Sequence, residues 1–144
     1  MTQEDKELLL VDLRARLPYE VMLKIGDHSD YKFIGIVITD EYPMKVVVVE
    51  NGIPYKIEVP LDIIKPYLRP MSSMTEEERE ELRQEQIKDE QLFTDCIKNH
   101  PERRGLIIPH FAADWCDKNM FDYRELIPRG LAIEVTEENN PYKD

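Results

Sequence analysis

No apolar run in the chain exceeds four residues, a length reached at Leu8–Val11 and again at Val46–Val49. A membrane-spanning helix needs about 20 such residues, so none is expected. Cysteine is scarce, and two residues exclude a disulfide scaffold. Glycine is scarce too, at five in 144, and neither a Gly-rich phosphate loop nor a nucleophile elbow occurs. The opening stretch MTQEDKE lacks the basic and apolar regions of a signal peptide, so a cytoplasmic protein is expected.

Positive charge is also short. Lys plus Arg number 19 against 30 Asp plus Glu, a net charge of −11. Such a chain repels phosphate backbones at long range, so direct nucleic-acid binding is not expected. The excess is greatest in residues 71–100, with nine acidic and four basic side chains. Acidity commonly serves solubility; the sharper reading is attraction to a basic partner, or occupation of a nucleic-acid site on one.

What is present suits one ordinary domain, or a small domain with a helical appendage. Hydrophobic residues make up 42% of the chain. At this length about 68–70% of the unfolded surface can be buried, so no metal or disulfide is required for folding.

The first segment reads as a helix. Thr2 can cap it with Asp5 three residues on, Leu9, Leu10, Leu13 and Leu17 share one stripe, and Pro18 ends it. From Tyr19 the apolar period changes to two. Strands are expected at Val21–Ile25, Tyr31–Thr39, Met44–Glu50 and Tyr55–Val59. Turn chemistry separates them at 26–30, 40–43 and Asn51-Gly52, the last a hairpin dipeptide. Pro60–Pro66 suits one 3₁₀ turn, and Tyr67–Met71 a short edge strand. That order and length fit a small antiparallel SH3-like β-barrel, or a meander sheet covered by the first helix.

Composition changes at Ser72-Ser73-Met74, dividing residues 1–71, a helix plus barrel or sheet, from a helical extension over 72–144. Thr75 and Glu78 form a capping box for a long acidic helix over about 75–99. Leu82, Ile87, Leu92, Phe93 and Ile97 give it a thin apolar stripe, as in a helix that docks along one seam or projects toward a partner. A compact tail should carry short helices over about 109–128, with Asp122 capping the second and Gly130 ending it, then an extended 131–135. The last nine residues, TEENNPYKD, are polar and expected to fray. The fold class is therefore α+β.

Cys96, His100, His110 and Cys116 form C-x3-H-x9-H-x5-C, four residues of zinc-ligating type. The spacing matches no common finger and contains no C-x2-C knuckle, which favours two buried thiols and two ordinary histidines, with zinc the alternative. His110, Asp114 and Asp117 could share a helix flank as a hydrolytic metal site, but no third positioned group accompanies them, and helix-surface charge is the plainer account. A Cys116 nucleophile paired with His110 or His100 has no local support either. Trp115, Phe111, Phe121 and Tyr123 cluster in sequence and read first as a small core for the tail, second as an aromatic binding patch. Five tyrosines in the strand region, Tyr19, Tyr31, Tyr42, Tyr55 and Tyr67, support a binding module only weakly.

Two stretches carry a resemblance. One is MTQEDKELLLVDLRARLPY followed by IKPYLRPMSSMTEEE; the other runs from Asp114-Trp115 through FDYRELIPRGLAIE. Together they resemble a group of uncharacterised proteins of gut Bacteroidales and their phages or mobile elements. The resemblance implies a bacterial cytoplasm and a mobile-element origin, and it transfers no catalytic residue.

The sequence thus points to a non-enzymatic protein-binding or adaptor module with a protein partner. Two alternatives stand beside it: an acidic inhibitor occupying a nucleic-acid site on a host protein, and a small metal-binding protein.

Overall fold

The computed structural model describes residues 1–37, 45–50, 53, 55–99 and 110–142, with backbone alone at 29, 30, 96, 97 and 99. The expected turns at 40–43 and Asn51-Gly52 lie outside the described residues.

Helix α1 spans Gln3–Arg16. Thr2 Oγ1 accepts from the Asp5 amide at 3.1 Å, and the Asp5 carboxylate accepts from the Thr2 amide at 3.3 Å, a reciprocal cap. Leu9, Leu10 and Leu13 are buried, while Leu17 lies past the helix end and is exposed. Pro18 sits in a 3₁₀ turn, Leu17–Tyr19, and Glu20 at φ 58° swings the chain into the sheet.

Four strands follow the expected period: β1 Met22–Ile25, β2 His28–Val37, β3 Lys45–Glu50 and β4 Lys56–Pro60. After a 3₁₀ turn at Leu61–Ile63 the fifth, β5 Ile64–Leu68, starts earlier than the edge strand expected at Tyr67–Met71 and is paired on both sides, while Met71–Ser73 forms a 3₁₀ turn. All pair antiparallel, in the order β4-β3-β2-β1-β5. A sixth strand, β6 Ile133–Glu134, joins β5 in parallel, with Tyr67 opposite Ile133.

The sheet is mixed and open, which corrects the barrel expectation. The cause is visible at both ends. A barrel would close by pairing β4 with β5, but β6 takes that edge of β5, and Val135 N donates to Leu68 O at 2.8 Å beyond it. Helix α1 meanwhile covers the apolar face, so the sheet need not curl on itself to bury it. Leu9 and Leu13 join Leu23, Phe33, Val48, Ile64 and Leu68 in one core.

Helix α2 spans Glu76–Asn99, as expected, and α3 spans Phe111–Lys118. The second short helix near Asp122 does not form. Met120, Glu125 and Gly130 all have positive φ, so residues 119–130 run as successive turns. Asp122 still acts as a cap, its carboxylate accepting from the Leu126 and Ile127 amides at 2.8 Å each. The tail shares the main core through Met120, Leu126, Leu131 and Ala132.

The terminal segment is tied down rather than frayed. The Thr136 amide donates to Asn139 Oδ1 at 2.6 Å, and Asn139 donates back to Glu134 O. Tyr142 accepts from the Met22 amide at 3.1 Å and donates to Tyr67 O at 2.7 Å, bridging β1 and β5. Among the described residues no helix is long and apolar enough to cross a membrane.

Candidate functional site

Four charged side chains meet where α1 crosses α3. Asp12 and Arg16, one turn apart on α1, are fully buried and paired through two bonds of 2.9 and 3.0 Å. The Arg16 guanidinium also donates to Phe121 O at 2.6 Å and reaches Cys116 O and Asp117 O at 3.5 and 3.4 Å. It therefore places a cation on the carbonyl end of α3, where the helix dipole favours one. Arg124 bridges Asp12 Oδ1 at 2.7 Å and Asp117 Oδ1 at 2.9 Å. Tyr123 donates to Asp117 Oδ2 at 3.2 Å and lies against the Arg124 guanidinium.

Two arginines balance two aspartates, and among the described residues no buried side-chain polar atom lacks a partner. Burial, with Asp117 beside it, pushes the Tyr123 hydroxyl pKa well up. The Cys116 thiol is raised for the same two reasons. A phenol and a thiol held protonated, next to carboxylates fully engaged by guanidinium groups, form a structural clasp with no free base or nucleophile.

The aromatic cluster packs beside this clasp. Trp115 stacks on Phe121 with centroids 5.5 Å apart and planes 12° apart. Arg69 lies over the Phe121 ring at 4.2 Å and grips Glu78 through two bonds of 2.8 Å. Glu78 is also the capping partner of Thr75 at the start of α2. The Arg69 bonds pull its carboxyl pKa down to about 2. Trp115 Nε1 donates to Glu81, a second tie on α2, this one from α3.

A third tie lies further along. Asp89 of α2 accepts from the amides of Phe111 and Ala112 at 2.6 and 2.9 Å. His110, at the cap position of α3, makes no side-chain cap bond, so the neighbouring helix supplies the cap. Helix α2 thus folds back on α3 along Glu78, Leu82, Glu85, Asp89 and Leu92, its less exposed side chains.

The four aromatics expected as a binding patch are therefore divided. Phe121 is fully buried, Trp115 and Tyr123 are half-buried, and Phe111 is exposed at the start of α3. The expected metal set is divided too. His110 is exposed at the N-terminal end of α3, while Cys116 is buried at the other end of that helix. His100 and the Cys96 side chain lie outside the described residues. Among the described residues no group of three His, Cys, Asp or Glu side chains is placed to hold an ion. Asp114 is exposed, whereas Asp117 turns inward to Arg124, so these two do not share a site with His110.

Sequence reasoning missed Asp12, Arg16, Arg69 and Arg124. The available signal was Asp12 and Arg16 at i and i+4, in step with the buried Leu9 and Leu13.

Two large apolar side chains of α2 are exposed amid its acidic residues: Ile87, at 38%, on the side turned from α3, and Phe93, at 55%, on the same side as Leu82 and Asp89. Phe93 lies one turn beyond Asp89, and Phe111 is held by Asp89, so both exposed aromatics sit at the same end of the helix pair. No protein-family model, no curated protein and no solved structure matches the chain.

Proposed function

We propose that the chain is a non-catalytic protein-binding module whose α2 docks on a basic protein surface. The observation that carries this reading is a pair of large apolar side chains left exposed on an acidic helix. Phe93 and Ile87 stand exposed on a helix with nine acidic and four basic residues. Aromatic side chains make interface anchors, and the surrounding charge selects a positive partner and speeds encounter. Three ties hold the helix to α3 and to Arg69, just past β5, with Ile87 on the side turned from them and Phe93 one turn beyond the last of them.

The strand order β4-β3-β2-β1-β5, with one 3₁₀ turn between β4 and β5, supports an SH3-like reading of the sheet as scaffold. The resemblance to Bacteroidales mobile-element proteins supports a bacterial cytoplasmic setting.

The test is capture from bacterial lysate by wild type and by Phe93→Ser, at low and high salt. A stoichiometric basic protein held by wild type, lost with Phe93→Ser and weakened by salt, is the expected result. Equal capture by both chains contradicts the proposal. If duplex DNA competes for the captured partner, the module is an inhibitor occupying a nucleic-acid site.

A further inference from the structure

We infer that the free edge of β4 pairs with β4 of a second copy of this chain, in one register centred on Ile57. Among the described residues strand β4 bonds to β3 alone, which leaves its outer edge a row of backbone donors and acceptors with no strand partner among them. The strand is not blunted by apolar shortage. Tyr55, just before it, is 72% exposed and Ile57 is 37% exposed, while Val59 on the same face is buried. These three share a face because side chains alternate along a strand. Lys56 and Glu58 occupy the opposite face, both exposed, and neither has an ion-pair partner in the chain among the described residues.

The charges select the register. Two copies related by a two-fold axis through the sheet pair antiparallel, with core faces on the same side. Ile57 opposite Ile57 sets Lys56 against Glu58 twice, and Tyr55 against Val59 twice. Sliding by one pleat repeat sets Lys56 against Lys56, or Glu58 against Glu58. Sliding by a single residue sets core-facing side chains against outward ones. Like charges directly opposite are unfavourable and unlike charges favourable, so one register survives. Pro60 ends the pairing stretch and lacks the amide donor to extend it. At the other end of the sheet, β6 has only two residues, so assembly closes at a dimer. A five-residue edge is a small interface, and its affinity belongs in the micromolar range.

Sedimentation equilibrium of the full chain tests this, from about 5 to about 200 µM. The chains are wild type, Lys56→Glu, Glu58→Lys and the double exchange. Wild type should shift from monomer to dimer across that range. Each single reversal should weaken association about tenfold, because symmetry spoils two pairs at once. The double exchange should return it to within about threefold of wild type. Both residues are exposed, and matching thermal melts establish that each variant folds. A wild type that stays monomeric overturns the inference. So does a dimer indifferent to the single reversals, or a folded double exchange that does not recover.

Discussion

Arg16 donates to the Phe121 carbonyl at 2.6 Å across 105 residues of chain. That bond, with the Asp12 fork on the same guanidinium, makes the first helix and the tail one unit. Arg16→Met leaves Asp12 and Asp117 buried with Arg124 as their one remaining cation. The expected loss is about 3–5 kcal/mol in urea unfolding. The double change Asp12→Leu/Arg16→Met leaves the balanced Arg124–Asp117 pair, and should cost less than Arg16→Met alone. A single change costing under about 1 kcal/mol contradicts the clasp.

The Arg69–Glu78 fork makes stability depend on pH. The folded Glu78 pKa is depressed from 4.5 to about 2, so the unfolded chain binds its proton first as pH falls. The contribution is full above about 4.5 and disappears by about 2. Glu78→Gln should lower stability at pH 7 by about 1 kcal/mol, the scale of a partly exposed forked pair. The gap to wild type should close progressively between pH 4.5 and 2. A gap that stays constant across that window rules out the ionic origin.

Asp89 caps a helix to which it does not belong. Asp89→Ala should cost about 1–2 kcal/mol, and Asp89→Asn an intermediate amount, since asparagine keeps one acceptor oxygen for one of the two amides while its NH2 group accepts neither. Hydrogen exchange at the Phe111 and Ala112 amides is the direct readout. Faster exchange there in Asp89→Ala, with the β2 and β3 amides still protected, is the expected pattern.

Glu125 and Met120 both hold positive φ, near 61° and 62°, but differ in burial. Glycine removes the strain of about 1 kcal/mol at either position. Glu125 is exposed, so Glu125→Gly should leave the melting temperature unchanged or raised. Met120 is buried in the core, and Met120→Gly forfeits about 1.5–3 kcal/mol of apolar burial. The two variants should therefore move in opposite directions, or differ by at least 1 kcal/mol, in thermal unfolding.

Local chemistry was legible where neighbours in sequence decide the outcome. Thr2 with Asp5 and Thr75 with Glu78 form the caps their spacing announces. The alternation at Val46 and Val48 marks the buried face of β3. What stayed hidden depends on distant partners. β6 bonds to β5 across more than sixty residues, and that contact decides that the sheet is open. The stretch TEENN gives no sign of order, yet Tyr142 beyond it anchors β1 and β5. Asp12 and Arg16 look like surface charge until Arg124 and the end of α3 arrive to balance them. Trp115 and Phe121, close in sequence, stack within the tail, whereas Arg69 over the Phe121 ring lies outside any local pattern.

Exposed Phe93 and Ile87 of α2 carry the functional proposal, and site-directed photo-crosslinking tests them directly. A benzophenone side chain is placed at Phe93, at Ile87, and at the control position Lys45 on the sheet, and each chain is irradiated in host lysate. Adducts to one basic protein from positions 93 and 87, with none from 45, are the expected result. Adducts from 45 with none from 93 or 87 contradict docking through α2.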